Sequence, residues 1–353
     1  MADVVTKPVS TSGDMLTQIE LLRRTDPKGN VADIAEVLNQ SNEIIQDIEF
    51  KEGNLLQGDE QTIRNGLPEV YWKQKGRGVP ASKSQTATVT EVCAQMAAMS
   101  KVSCDIMDLN GNSAAYRKSE EKPFIESMGQ KLAYTLFYGN GTKPAEGFSG
   151  FATRYSTLDS SKAENAKNVI DCGGKNGKKL TSIYIVGWGD SIYCPYPKGA
   201  KLGLQTEDKG AIVLPDDMGN LNDYYVTMFN WNVGLMVKDW RCAVRLCNID
   251  IDELFSGKGI GSGDLKTAGS TNLLLKLDEA ISKLRKVGKQ RYAIYMNNDV
   301  HEALAVIAAR TNMQVIRYSE ATTEYGDHSV WSSYRGYPMR LCDQIVNTET
   351  QVI

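Results

Sequence analysis

Histidine is almost missing: His301 and His328 are the only two in 353 residues. That leaves little for acid–base catalysis near neutrality or for a zinc site. His301-Glu302 opens like a zinc-protease helix motif, but Ala305 stands where the second ligand belongs, and an exposed residue at a helix start is the better reading. The seven cysteines, Cys93, Cys104, Cys172, Cys194, Cys242, Cys247 and Cys342, are odd in number and scattered, which argues against a disulfide framework. Apolar runs of the roughly eighteen residues that a membrane helix needs are also lacking. Met1-Ala2-Asp3-Val4-Val5 has neither the basic start nor the apolar stretch of a secretion signal, so synthesis in a reducing cytoplasm is expected. There is no basic excess, the formal charge being -3, and nothing in the composition suggests a grip on nucleic acid.

Phosphate-loop chemistry is absent as well. Gly257-Lys258-Gly259-Ile260-Gly261-Ser262-Gly263 lacks the strand before it and the right glycine spacing. Gly173-Gly174-Lys175-Asn176-Gly177-Lys178-Lys179 lacks the first glycine and the final hydroxyl residue of a P-loop. Both read as surface loops. Asp108, Asn110 and Asn112 hint at a calcium loop, but Gly111 is misplaced for one, and a turn before a helix accounts for them. Gly147-Phe148-Ser149-Gly150 is no nucleophile elbow. The expectation is a chain with no catalytic residues, no metal and no cofactor.

What is present is a division by pattern. Residues 1–50 read as an arm with short amphipathic helices around Met15–Leu22 and Ile34–Leu38. Residues 51–92 form a thin β-hairpin punctuated by Gly53, Gly58, Gly66, Pro68, Gly76, Gly78 and Pro80, with β-prone pieces at Val70-Tyr71-Trp72 and Thr86–Val92. Between residues 64 and 83, Arg64, Lys73, Lys75, Arg77 and Lys83 cluster with only Glu69 against them. That basic ribbon is compatible with DNA contact, with a solvated face, or with a bridge to acids on another molecule. A two-stranded ribbon is marginal alone in water and needs a surface to lie on.

Residues 93–160 begin with an apolar helical stretch at Met96, Ala97, Met99 and Val102. The clearest helix then runs from an N-cap at Ser119 to Tyr138, with Glu120 and Glu121 at its positive end and a stripe of Phe124, Ile125, Met128, Leu132, Leu136 and Phe137. From Thr181 to Asp250 the pattern is β, as in Ser182–Val186 and Cys242–Leu246. Beyond Ser270 it is α/β: a helix through Leu273, Leu274, Leu277, Ile281 and Leu284, a strand Tyr292–Met296, a helix capped by Asn298, a polar loop Ser319–Ser333 and a strand Gly336–Leu341.

The run Gly66-Leu67-Pro68-Glu69-Val70-Tyr71-Trp72, with Pro80–Ser84, Asp108–Asn112, Thr135–Asn140, Trp188-Gly189-Asp190, Tyr196–Gly199, Asp239-Trp240-Arg241, Tyr295–Asn298 and Gly336-Tyr337-Pro338, resembles in collinear order the major capsid proteins of short-tailed bacteriophages of the epsilon-fifteen type. That resemblance implies the α+β Hong-Kong-97-type capsid fold: N-terminal arm 1–50, extended loop 51–92, spine helix and following loop of the peripheral domain 93–160, peripheral β-sheet 161–250 and axial domain 251–353. The strand–helix unit Tyr292–Ala309 follows Gly189-Asp190, whereas in many proteins of the fold it precedes it, so the connectivity after residue 160 is left open.

The function implied is self-assembly, in pentamers and hexamers, into an icosahedral virion shell. The shell would enclose double-stranded DNA without sequence-specific binding, in company with a portal protein, a scaffold and a decoration or cement protein. Tyr71, Trp72, Lys73, Lys75 and Arg77 on the hairpin, and Glu120 and Glu121 on the helix, are the residues expected at contacts between copies. The rival classes are a soluble enzyme, for which the chain offers no motif, and another assembling part such as a tail tube or a nanocompartment shell.

Overall fold

Side-chain period decides most of the elements. The computed structural model describes residues 42–107, 113–142, 147–175, 178–215, 219–256, 273–285, 289–310, 316–322 and 328–353. The helices expected in the arm, the turn at 108–112 and the glycine-rich stretch 257–263 lie outside them. In chain order the strands are β1 (Phe50–Glu52), β2 (Gly58–Gly66), β3 (Gln85–Val92), β4 (Ala94–Ser103), β5 (Val169–Asp171), β6 (Leu180–Trp188), β7 (Ile192–Tyr196), β8 (Gln205–Pro215), β9 (Leu221–Val233), β10 (Met236–Val237), β11 (Ala243–Asp250), β12 (Arg291–Met296), β13 (Ile316–Thr322), β14 (His328–Tyr334) and β15 (Tyr337–Leu341). The longer helices are α1 (Ser113–Tyr138), α2 (Leu273–Lys283) and α3 (Asn298–Arg310).

The chain divides into two compact units. One holds Gln95–Gly129 and Gly203–Trp231 and is built on the sheet β4-β9-β8 and the first part of α1. Here β4 replaces the expected helix at Met96–Val102. Met96, Ala98, Ser100 and Val102 turn inward while Ala97 and Met99 turn out, so the apolar residues that suggested one helical face occupy both faces of a strand. Phe124 of α1 stacks on Phe229 of β9 with ring centroids 5.7 Å apart.

The helix α1 starts at Ser113, earlier than expected, so Ser119 is interior and is not the N-cap. The misleading signals are Ser119, Glu120 and Glu121, which suit a helix start but lie inside this helix, as Pro123 does. At 26 residues the rod is about 39 Å long. Met128, Leu132, Leu136 and Phe137 are buried, but Ile125 of the expected stripe is exposed.

The other unit holds Gln40–Ala94, Gln130–Leu202 and Asn232–Ile353. Its centre is a seven-stranded sheet in the order β13-β14-β15-β12-β6-β11-β5. β6 is buried along its whole length because both faces are covered. Ile183 and Ile185 join a core with Val244, Leu246, Ile294, Leu277, Ile281 and Leu304, drawn from the neighbouring strands and from α2 and α3. Tyr184 faces the other way, toward Phe137 at 4.9 Å between centroids, and Trp188 meets Phe151 at 6.1 Å. Trp188 Nε1 donates to the Tyr295 hydroxyl at 2.8 Å, and that hydroxyl donates to Asp47 at 2.9 Å, so both large polar rings are satisfied.

β6 pairs antiparallel with β12 (Ile185 opposite Ile294) and with β11 (Ile185 opposite Val244). A cut at residue 250 therefore runs through one sheet, while β8 and β9 group with the first half of α1. The polar segment Ser319–Ser333 is no loop for most of its length. β13 and β14 pair there from Ile316 opposite Tyr334 to Thr322 opposite His328, as alternating serine, threonine and aromatic residues favour. Asn297, one residue before the expected cap, holds the start of α3 by accepting from the Asp299 amide at 3.1 Å.

Candidate self-association surface

β2 and β3 form a two-stranded antiparallel ribbon in which Asp59 opposes Glu91, Gln61 opposes Val89 and Ile63 opposes Ala87. These residues lie on one half-buried or buried face, and the intervening residues are exposed. Strand pairing ends at Gly66 and Gln85, so Val70-Tyr71-Trp72 is connector and not strand as expected. Pro68 and Pro80 near its two ends lack the amide a ladder needs.

Within the connector, Ser82 Oγ donates to the Glu69 carbonyl at 2.7 Å, and Arg77 N donates to the Gln74 carbonyl at 3.2 Å around Gly76, whose φ is +86°. The Tyr71 hydroxyl donates to Glu69, which raises the phenol's pKa. Leu67, Val70, Trp72 and Val79 are all exposed, Trp72 completely. Lys73, Lys75, Arg77 and Lys83 form no ion pair with a described residue. Large apolar side chains gathered on one exposed segment make it the candidate for a contact surface.

Glu120 and Glu121 belong to the other unit. With α1 starting at Ser113 they are too far along the helix to stabilise its positive end. Both are half-buried, and Glu121 accepts from the Thr227 hydroxyl at 2.9 Å. Arg117 donates to the same hydroxyl at 3.2 Å and pairs with Asp208 at 2.7 Å. No sequence pattern announces this network, because its members are separated by about a hundred residues of chain.

Two further sites escape sequence reading for the same reason. At the ribbon's base, Asp59 is 1% exposed and accepts from the Tyr193 hydroxyl, while Glu91 pairs with Arg154 at 2.6 Å. Burial, and then the bond to Asp59, push the Tyr193 phenol up. Beside the chain's last residues, Arg245 and Glu349 pair at 2.8 Å with both side chains 5% exposed. Burial opposes the Arg245 charge, but Tyr184 and Glu349 outweigh it and hold the guanidinium above its ordinary pKa.

Glu349 also accepts from Tyr138 and Ser182, and Arg245 donates to the Tyr155 carbonyl at 2.8 Å. These groups face a groove of about 400 Å³ lined by Tyr134, Tyr138, Arg245, Glu349 and Val352. Its charged groups are bonded to one another, as in a structural pin. All seven cysteines are free thiols, and burial pushes the Cys93 thiol up to about 11.

Among the described residues no helix is long and apolar enough to cross a membrane. No curated protein sequence matches the chain. A cryo-EM structure of bacteriophage Epsilon15 is similar to it at 26% identity and a TM-score of 0.70, covering 98% of this chain and 99% of that one. The capsid of bacteriophage JBD30 aligns at 8% identity and a TM-score of 0.47, over 87% of this chain and 92% of that one. The α+β architecture is the Hong-Kong-97-type capsid fold that the resemblance implied. The family model described as Major capsid protein GP7 matches residues 26–353, nearly the whole chain, and the protein belongs to that family of phage capsid proteins.

Proposed function

We propose that copies of this chain close, as pentamers and hexamers, into an icosahedral shell around double-stranded DNA, and that the β2–β3 ribbon of each copy lies across the next. The observation that carries the reading is the connector 67–84, where Trp72 and its apolar neighbours project into solvent beside cations that form no ion pair with a described residue. A ribbon of two strands has no core of its own, and an adjoining copy supplies the missing surface. Contacts of this heterologous kind close into rings when the rotation between copies allows it.

The counterpart is the neighbour's long helix, whose Glu120 and Glu121 offer acidic groups to Lys73, Lys75 and Arg77. Assembly in the host cytoplasm, with a portal, a scaffold and a decoration or cement protein, fits such a shell. The formal charge of -3 supports an inner wall that contains DNA without gripping it. No catalytic role is assigned.

Reversing Lys73, Lys75 and Arg77 to Glu tests the charged part of the contact. Assembly is expected to fail at low salt and to recover in part at about 0.5 M salt, where the Debye length is only a few ångströms. Electron microscopy across a salt series reads the outcome. Normal shells at every salt concentration would remove the charge bridge.

A further inference from the structure

Asp59 of β2 and Glu91 of β3 stand directly opposite one another at the ribbon's root. Residues so paired share a face, and like charges there push the strands apart. Each carboxylate is held from the body of its unit. Asp59 receives the Tyr193 hydroxyl, Gln61 Nε2 at 3.1 Å and the Asn54 amide at 3.3 Å. The ammonium groups of Lys51 and Lys238 lie 5.1 and 4.9 Å from the Tyr193 ring centroid. Glu91 receives Arg154 Nη1 at 2.6 Å, and the same guanidinium donates to the Ser149 and Leu235 carbonyls, each at 3.1 Å. One arginine thus ties β3 to two other segments. Beneath these groups backbone meets backbone: a Cβ on Gly58 would lie 2.1 Å from the Glu91 carbonyl oxygen, and one on Gly53 would lie 2.3 Å from that of Gly58.

We propose that Asp59 and Glu91, with Tyr193 and Arg154, are positioning residues that fix the direction in which the ribbon leaves the body, and so where the Trp72 connector meets the next copy. This rests on the docking reading above. The lever is long. From Asp59 to Gly66 the strand spans about 24 Å at roughly 3.4 Å per residue, so a tilt of about 10° at the root moves its far end by about 4 Å. Recognition sites tolerate far less than that. Losing the Tyr193 hydroxyl leaves Asp59 short of a donor beside the opposed carboxylate, whereas neutralising Glu91 removes that repulsion together with the ion pair that anchors β3 and leaves the Arg154 guanidinium uncompensated.

The test uses the full chain with Glu91→Gln, which keeps shape and removes charge, and Tyr193→Phe, which removes one oxygen. Both variants should keep the main unfolding transition of the wild type. Their amides in 58–66 and 85–92 should exchange hydrogen at least tenfold faster, and electron microscopy should show open or irregular particles in place of closed shells. Should Glu91→Gln fail to fold, Tyr193→Phe carries the test. Trp72→Ala serves as the control: it should abolish shells while leaving ribbon exchange at the wild-type rate. Unchanged exchange in the root variants, or faster exchange with normal shells, would overturn the positioning role. Normal shells from Trp72→Ala would overturn the docking reading, and the exchange rates would still decide whether the root clamp exists.

Discussion

Trp72→Ala is expected to yield a folded chain that no longer forms shells. The indole is fully exposed within its own chain, so its removal deletes no internal packing. Substitutions at such surface positions change stability by about 0.5 kcal/mol or less. At an interface the balance reverses, because aromatic anchors in the centre of a contact cost about 2 kcal/mol or more when truncated. That is roughly a thirtyfold loss per contact. A shell repeats the contact at every copy, and linked contacts multiply, so a modest local loss becomes an all-or-none loss of closure. Size-exclusion chromatography and electron microscopy of the purified variant measure it. Closed shells in wild-type yield would contradict the assignment.

Glu349→Ala is expected to destabilise the unit that contains it by about 3–5 kcal/mol, the usual effect of removing one partner of a buried ion pair. Arg245 would remain charged in a site where only 5% of its side chain reaches solvent. Tyr138 and Ser182 would also lose the carboxylate they donate to. The Glu349 amide donates to the Leu180 carbonyl at 3.0 Å, and Asn248 holds Val352 through bonds of 2.9 and 3.0 Å, so the segment 349–352 is fixed along its length. Replacing both charges, as Arg245→Met with Glu349→Leu, should restore much of the loss, because an apolar pair needs no desolvation of charge. Urea denaturation of the unassembled chain reads both variants. A loss below about 1 kcal/mol for Glu349→Ala would show that the pair is solvated, not buried.

Much of the central sheet was legible in the sequence because its residues face apolar surroundings on both sides. Ser182–Val186 and Tyr292–Met296 read as strands for that reason, and the spacing of Leu273, Leu277 and Ile281 read as a helix with one buried stripe. Patterns misled where residue type and environment disagreed. Met96, Ala97 and Met99 are good helix formers placed in a strand by pairing with β9. The serines of 319–333 suggested a loop, yet two paired strands occupy most of that stretch.

The proposed association surface is half visible in the sequence. Trp72 and the neighbouring cations mark the segment as a candidate contact, and the resemblance to a capsid family implies a second copy. The base of the ribbon was invisible, because Asp59 meets Tyr193, and Glu91 meets Arg154, only after the chain has folded back over 134 and 63 residues respectively. Glu121, proposed to face a neighbour, also accepts from Thr227 of its own chain, a bond that no sequence pattern announces.

The most direct measurement is a cryo-EM reconstruction of the shell assembled from this protein, at a resolution that shows side chains. The account predicts density for the Trp72 ring packed against a different copy, with Lys73, Lys75 or Arg77 within ion-pair distance of that copy's carboxylates. A ring left in solvent, or folded onto its own chain in closed shells, would contradict it.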